Sequence, residues 1–288
     1  MRTKNILKRI VGKIALSGFR LWETFGLHIT PDKFDYPIPS TKDLTDDIFR
    51  RKSDCIGMDW NVKEQEHYLK NIFPKYATEV EFERNEGLSL VDAAIYHAMI
   101  RHDKPEKIVE IGSGNSAKFA ARACIMNEAE GVSCELVAIE PFPTKALRKG
   151  YPGLTRLIKN KVQSVALNEF ENCDLLFIDS SHVVKIDGDV NYEILEIIPR
   201  LKKDCLVHFH DILLPGEYWK DWVMGNKWFW SEQYLLHAFM LFNRDFEIIW
   251  ASRYQHLNNA LMIKKIFPYF ESEHRDHRIT SFWIRRRL

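Results

Sequence analysis

Short apolar runs recur through the middle of the chain and alternate with stretches of helical spacing. Ile108 to Ile111, Leu136 to Ile139, Leu175 to Ile178 and Leu206 to Phe209 are brief and poor in charge. Such runs are strands buried on both faces, which predicts a parallel sheet covered by helices. Phe246 to Trp250 and Ala260 to Ile263, separated by the polar stretch Ser252 to Asn259, predict an antiparallel hairpin at the end of the sheet. Tyr68, Leu69, Ile72, Phe73 and Tyr76 predict one helix. Val91, Ala94, Ile95, Ala98 and Met99 form the stripe of a second, with Ser89 as its N-cap and Pro105 beyond its end. A third is predicted over Glu232 to Phe242.

The first residues follow a different pattern. Between Met1 and Leu16, Ile6, Leu7, Ile10, Val11 and Ile14 stand at helical spacing among Lys4, Lys8, Arg9 and Lys13. This amphipathic helix is too short and too charged to span a bilayer, and it lacks the apolar core of a secretory signal. Two readings stand: a helix docked on its own protein or a dimer mate, and a helix lying on an anionic membrane surface. Residues 26 to 60, with Pro31, Pro37 and Pro39, predict an extended segment anchored by Phe34 and Tyr36. Arg285, Arg286 and Arg287 read as a solvated basic end.

With 288 residues, 45% of them hydrophobic, the chain can build one large α/β core and an accessory segment. Forty-one basic residues against forty acidic ones give a net charge of +1, which is no footprint for nucleic acid and points to a small-molecule partner. The five cysteines include no CxxC pair, which fits a reduced, cytoplasmic setting.

Candidate chemistry starts at Glu110-Ile111-Gly112-Ser113-Gly114, where a strand should pass into a helix and glycines would let backbone approach a ligand. Gly112-x-Gly114-x-x-Ala117 also fits the dinucleotide fingerprint, so NAD or a flavin competes with S-adenosylmethionine. A carboxylate ahead of the first glycine would repel a pyrophosphate, whereas a sulfonium and an ammonium tolerate it, so Glu110 favours the methyl donor. Glu140, ending the next strand, could accept from ribose hydroxyls in either case.

Asp179 and Asp211 follow neighbouring strands, roughly 4.8 Å apart in a parallel sheet, so their carboxylates can converge on the rim that carries the glycine loop. With His182 and His210 beside them they form a candidate divalent-metal site. His210 suits manganese, iron, nickel or zinc better than magnesium. In the accompanying chemistry a substrate hydroxyl attacks the sulfonium methyl while His182 takes its proton. His208, inside a strand, reads as a core histidine. Trp219, Trp222 and Trp230 belong to an aromatic-rich stretch from Tyr218 to Trp230 suited to a lid stacking on the acceptor.

These motifs, with Ile139-Glu140-Pro141, Phe177-Ile178-Asp179-Ser180-Ser181-His182 and His208-Phe209-His210-Asp211, occur in the order found in bacterial class I methyltransferases. The likeness extends from Gly26-Leu27-His28-Ile29-Thr30-Pro31 through Gln233-Tyr234-Leu235-Leu236 to Ser281-Phe282-Trp283. The chain thus resembles a bacterial family associated with polysaccharide or secondary-metabolite clusters. The resemblance implies a Rossmann-like seven-stranded sheet, order 3-2-1-4-5-7-6 with strand 7 antiparallel, behind an N-terminal helical and extended segment. At the active-site motifs it is similar to macrolide sugar O-methyltransferases, which hold magnesium. Asp179 matches their first metal ligand, His182 their general base and Asp211 the second of an acidic pair, while His210 stands where they have a carboxylate.

On this reading residues 1–85 are the amphipathic helix and accessory segment, 86–266 the methyltransferase domain and 267–288 a tail. Glu110, Gly112, Ser113, Gly114, Glu140 and Asp179 hold S-adenosylmethionine; Asp179 and His182 are catalytic. Asp179, His210 and Asp211 are the candidate ligands of a divalent metal (magnesium, manganese or iron). The acceptor is a hydroxylated small molecule or saccharide, and a homo-oligomer and a peripheral membrane contact are compatible with the N-terminal helix. A cephalosporin-hydroxylase-like oxygenase and a non-catalytic binding or scaffold protein are the alternatives.

Overall fold

The computed structural model describes residues 2–80, 88–270 and 278–288. Its core is a seven-stranded sheet in the order β3-β2-β1-β4-β5-β7-β6. The strands are β1 (Lys107–Ile111), β2 (Glu135–Ile139), β3 (Arg156–Ile158), β4 (Leu175–Ile178), β5 (Leu206–Phe209), β6 (Phe246–Ala251) and β7 (Phe282–Arg286). β1 to β5 pair in parallel, and β7 runs antiparallel to β5 and β6. Alternate residues of a strand face opposite sides. Val109, Leu176 and Val207 accordingly enter one hydrophobic core, and Ile108, Leu175 and Leu206 the other. The sheet is covered on both faces, as the uncharged runs require.

Two compact units are distinguished. One comprises Lys52–Tyr218 and Trp230–Leu288 and contains the sheet. The other comprises Met1–Arg51 and Trp219–Phe229. It holds helices α1 (Arg2–Ser17), α2 (Phe19–Thr24) and α3 (Asp46–Arg50), and a π-helical turn at Asp221–Gly225. Lys220 pairs with Asp46 at 2.5 Å within this unit.

The sheet unit departs from the expected boundaries at both ends. It begins near residue 52 rather than 86 because α4 (Val62–His67), a π turn and α5 (Phe73–Tyr76) bury Tyr68, Leu69, Ile72 and Phe73 in its core. Residues 267–288 are no tail, since they supply β7. The Ala260–Ile263 run is not a strand either, but lies in a helix, Ser252–Ile266. The arginines expected at a solvated end are tied into the fold: Arg285 donates to the Tyr68 hydroxyl at 2.8 Å and Arg286 to the Pro199 carbonyl at 2.8 Å. Helix α6 (Leu90–Asp103) starts as expected, with Ser89 Oγ accepting from the Asp92 amide at 3.1 Å, and stops before Pro105.

Candidate active site

The strand register puts the chemistry on one line. Ile111 lies opposite Ile139 and Ile178, and Ile178 opposite Phe209, each the last residue of its strand. The residues one step further are Gly112, Glu140, Asp179 and His210, and their amides extend the ladder to neighbouring carbonyls at 2.9 to 3.1 Å. Four adjacent parallel strands thus deliver four candidate residues to one rim, the edge at which ligands bind such sheets.

Gly112 has φ +78°, and a Cβ there would stand 1.8 Å from the Asp179 carbonyl oxygen. No side chain fits, so the glycine permits β1 and β4 to deliver their ends side by side. Glu110 lies beneath with no exposed surface. Its carboxyl accepts from the Tyr96 hydroxyl at 2.7 Å and from Ser113 Oγ at 2.6 Å, with Ser116 Oγ at 3.4 Å. Burial pushes this carboxyl up to about 7 against those hydrogen bonds. Glu110 therefore braces the loop from inside rather than presenting a charge to a ligand, which replaces the direct repulsion argued from the sequence.

Above the rim lies a cavity of about 450 Å³ lined by Gly112, Glu140, Phe142, Val162, Gln163 and Asp179, among others. Glu140 accepts from the Phe142 amide at 2.7 Å, and burial raises its carboxyl. Val162 and Gln163 follow β3, a three-residue edge strand too short to read from the sequence, so this wall could not be anticipated.

Beside the cavity, acidic and imidazole groups converge. His182 Nε2 is 3.2 Å from Asp179 and 3.5 Å from Asp211, and its Nδ1 is 2.7 Å from Glu232. His210 Nδ1 is 3.5 Å from Asp179 and 3.4 Å from Asp211. Thr280 Oγ1 donates to Asp211 at 3.1 Å and lies 3.3 Å from His210 Nε2. Both His182 and Asp211 hold left-handed backbone, with φ of 58° and 57°. The His182 carbonyl accepts from the amides of Ser231 and Glu232, so the start of the helix Glu232–Met240 is bonded to the residue it serves.

Burial works against charge on both histidines, and the carboxylates overcome it. His182 is raised well above its ordinary value by its hydrogen bonds to Asp179 and Glu232, and His210 by the charges of Asp211 and Asp179. Burial would likewise raise Asp179, but His210 and His182 hold it well below the usual carboxylate range.

Of the residues expected from sequence, Asp179, His182, His210 and Asp211 meet here, and Glu140, Gly112 and Ser113 share the adjoining rim. Trp230 packs on His182 with ring centroids 4.4 Å apart. Trp219 and Trp222 belong to the other compact unit, where their rings meet edge to face at 4.6 Å. His208 is a core histidine, bonded to Ser281 at 2.9 Å and stacked on Phe177. Thr280 is not legible in the sequence, and Glu232, at a helix start, reads there equally as a cap or as a pocket residue. The helix dipole alone is reason enough for an acid there, so only the 2.7 Å contact with His182 decides between the two readings.

Residues 109–212 match the family model described as a methyltransferase domain. An uncharacterized protein of Archaeoglobus fulgidus is 30% identical over 188 residues, 59% of this chain and 84% of its own length. The chain belongs to the class I S-adenosylmethionine-dependent methyltransferase family. Among solved structures, this methyltransferase is similar to the SAH-bound methyltransferase PaMTH1 of Podospora anserina, at 18% identity and TM-score 0.46, covering 80% of this chain and 88% of that one. It is also similar to the O-methyltransferase TomG of Streptomyces achromogenes, involved in tomaymycin synthesis, in complex with SAM. There the values are 12% identity and TM-score 0.43, with 80% and 97% of the two chains covered.

Proposed function

We propose that this methyltransferase moves the methyl group of S-adenosylmethionine to a hydroxyl of a small-molecule or saccharide acceptor. The observation that carries this reading is His182, wedged between Glu232 on one ring nitrogen and Asp179 and Asp211 on the other, beside the cavity that Asp179 also lines. The cavity suits the methyl donor: Glu140 offers a carboxylate to ribose hydroxyls, and Phe142 and Val162 offer apolar surface to a base.

In the transfer, the acceptor oxygen forms a bond to the methyl carbon as the carbon–sulfur bond breaks, and the sulfonium becomes a neutral thioether. His182 acts as base in its neutral form: once the proton that Nε2 shares with Asp179 has left to solvent, Nε2 takes the hydroxyl proton, while Glu232 accepts from Nδ1–H and stabilises the imidazolium that forms. Asp179 and Asp211 face the same proton and fix the ring plane.

Asp179, His210 and Asp211 bring three donor atoms within 4.8 Å of one another. The buried His210 Nδ1 has no hydrogen-bond partner, and its 3.4 and 3.5 Å distances to the two carboxylates suit donors arranged around a cation about 2.1 Å from each. These residues fit a divalent metal, which would supply Lewis-acid polarisation of the acceptor oxygen. The set is one imidazole with two carboxylates, donors that manganese or iron accepts readily.

Calorimetry with S-adenosylmethionine, with NAD as control and with or without manganese, tests the cofactor. Transfer of label from the donor to a panel of glycosides and phenols tests the reaction. Saturable binding of the methyl donor and not of NAD is expected, and His182→Ala should abolish label transfer while retaining donor binding. Absence of donor binding under every condition would remove the reading.

A further inference from the structure

Helix α1 is turned the unexpected way round. Leu7, Ile10, Val11 and Ile14 stand at i, i+3, i+4 and i+7, the spacing of one helix face, yet they are 63, 51, 56 and 59% exposed. The docked face is the small one: Ala15 is buried, and a Cβ on Gly12 would come within 3.5 Å of the Pro31 ring. A helix packed on its own domain buries its large apolar stripe and leaves polar residues outside. Here the large residues stand in solvent, and Leu21 and Phe25, 57 and 69% exposed, add to the apolar surface of the same compact unit.

Charge selects the occupant. Arg2, Lys4, Lys8, Arg9, Lys13 and Arg20 precede the first carboxylate, Glu23. By helical position Lys4 falls beside the apolar stripe on one side and Lys13 on the other, Lys8 falls between Gly12 and Ala15 on the docked side, and Arg2 and Arg9 fall toward the back of the helix. Apposing a second copy of this helix would bring two all-basic sets together. Anionic headgroups would instead meet those charges, and the aliphatic stems could lie along the apolar boundary beneath them. We propose that α1 lies in the plane of an anionic lipid surface, with Leu7, Ile10, Val11 and Ile14 entering the acyl boundary and the flanking basic residues meeting the phosphates. Among the described residues no helix is long and apolar enough to cross a membrane, so the contact is peripheral.

The test is flotation of the full chain with vesicles of phosphatidylcholine alone and of phosphatidylcholine mixed with phosphatidylglycerol. The chain should float with the anionic vesicles only and be released by salt. Ile10→Glu combined with Ile14→Glu should abolish flotation. Lys4→Ala and Lys13→Ala together should weaken it by about fivefold for each charge removed. Thermal melts should show both variants folded, and the charge variant reads the proposal even where the glutamates disturb the helix. Flotation with neither vesicle, equal flotation with both, or flotation unchanged in both variants would overturn the proposal. So would a dimer by light scattering that the double variant converts to monomer, because that assigns the face to a second copy. None of these outcomes depends on methyl transfer.

Discussion

Glu232 touches the chemistry through a single atom. Its Oε2 lies 2.7 Å from His182 Nδ1, and its other carboxylate oxygen is buried with no hydrogen-bond partner. Glu232→Gln keeps the shape and an acceptor but removes the charge that favours the imidazolium, so it should lower kcat on the order of tenfold to a hundredfold. That is less than the roughly 10²- to 10⁴-fold loss expected for removing the base itself with His182→Ala. Donor affinity by calorimetry should stay within about threefold in both, because neither residue lines the cofactor cavity. Equal loss of donor binding and turnover would make Glu232 a structural residue only. Glu110 belongs to the same scale, for the opposite reason. Its folded value of about 7 stands above the ordinary 4.5, so the stability it contributes is complete below about pH 4.5 and is lost as pH rises through 7. Glutamine cannot ionise, so Glu110→Gln should gain on the parent chain between pH 5 and pH 8, by on the order of 3 kcal/mol in urea unfolding. A gap that does not change with pH would show that burial is not what holds this carboxyl. In sequence Glu110 was visible as an acid before a glycine, but its burial was not, because Tyr96 reaches it from another helix.

At the level of elements, what was legible followed the range of the interactions involved. β1, β2, β4 and β5 are apolar because both faces are covered, and that requirement is written in each run by itself. β7 is specified from a distance: Phe282-Trp283-Ile284-Arg285-Arg286 becomes a strand only because β5 and β6 pair with it. The short Ala260–Ile263 run cannot be told from a buried helix turn by periodicity, and Ile263 is indeed buried on a helix. What fixes the start of β7 is Asp92, fully buried near the start of α6. It accepts from the Thr280 amide at 2.7 Å, the Ser281 amide at 3.3 Å and the Ser252 hydroxyl at 2.8 Å. Thr280 in turn holds Asp211, so this staple reaches the rim. Asp92→Ala would leave those donors unpaired in the interior and should cost on the order of 3 kcal/mol by chemical denaturation. Activity should fall as well, even though Asp92 lies outside the cavity. A stability loss below about 1 kcal/mol would mean that β7 is seated without it.

The same dependence on interaction range holds for the whole molecule. The rim was legible because register and parallelism put the residues after four strands on one line, so motifs far apart in sequence predicted a shared site. The two-unit division was not, because Trp219 and Trp230 are close in sequence yet belong to different compact units. A ligand held by the ends of several strands stabilises the sheet that presents them, so binding can be read as global stability. At a hundred times its dissociation constant the methyl donor should contribute about 2.7 kcal/mol, a rise of roughly 4 to 5 °C in melting temperature for a chain of this size. Manganese should add a further increment if Asp179, His210 and Asp211 hold it. Asp211→Asn separates the two ligands, since Asp211 faces the histidines but does not line the donor cavity. In that variant the donor's shift should persist and the manganese increment disappear. If the manganese increment survives in Asp211→Asn and in His210→Ala, the metal assignment fails while the methyl-donor site stands. If the donor's shift is lost in Asp211→Asn, the cofactor reaches further toward the acidic cluster than the cavity indicates.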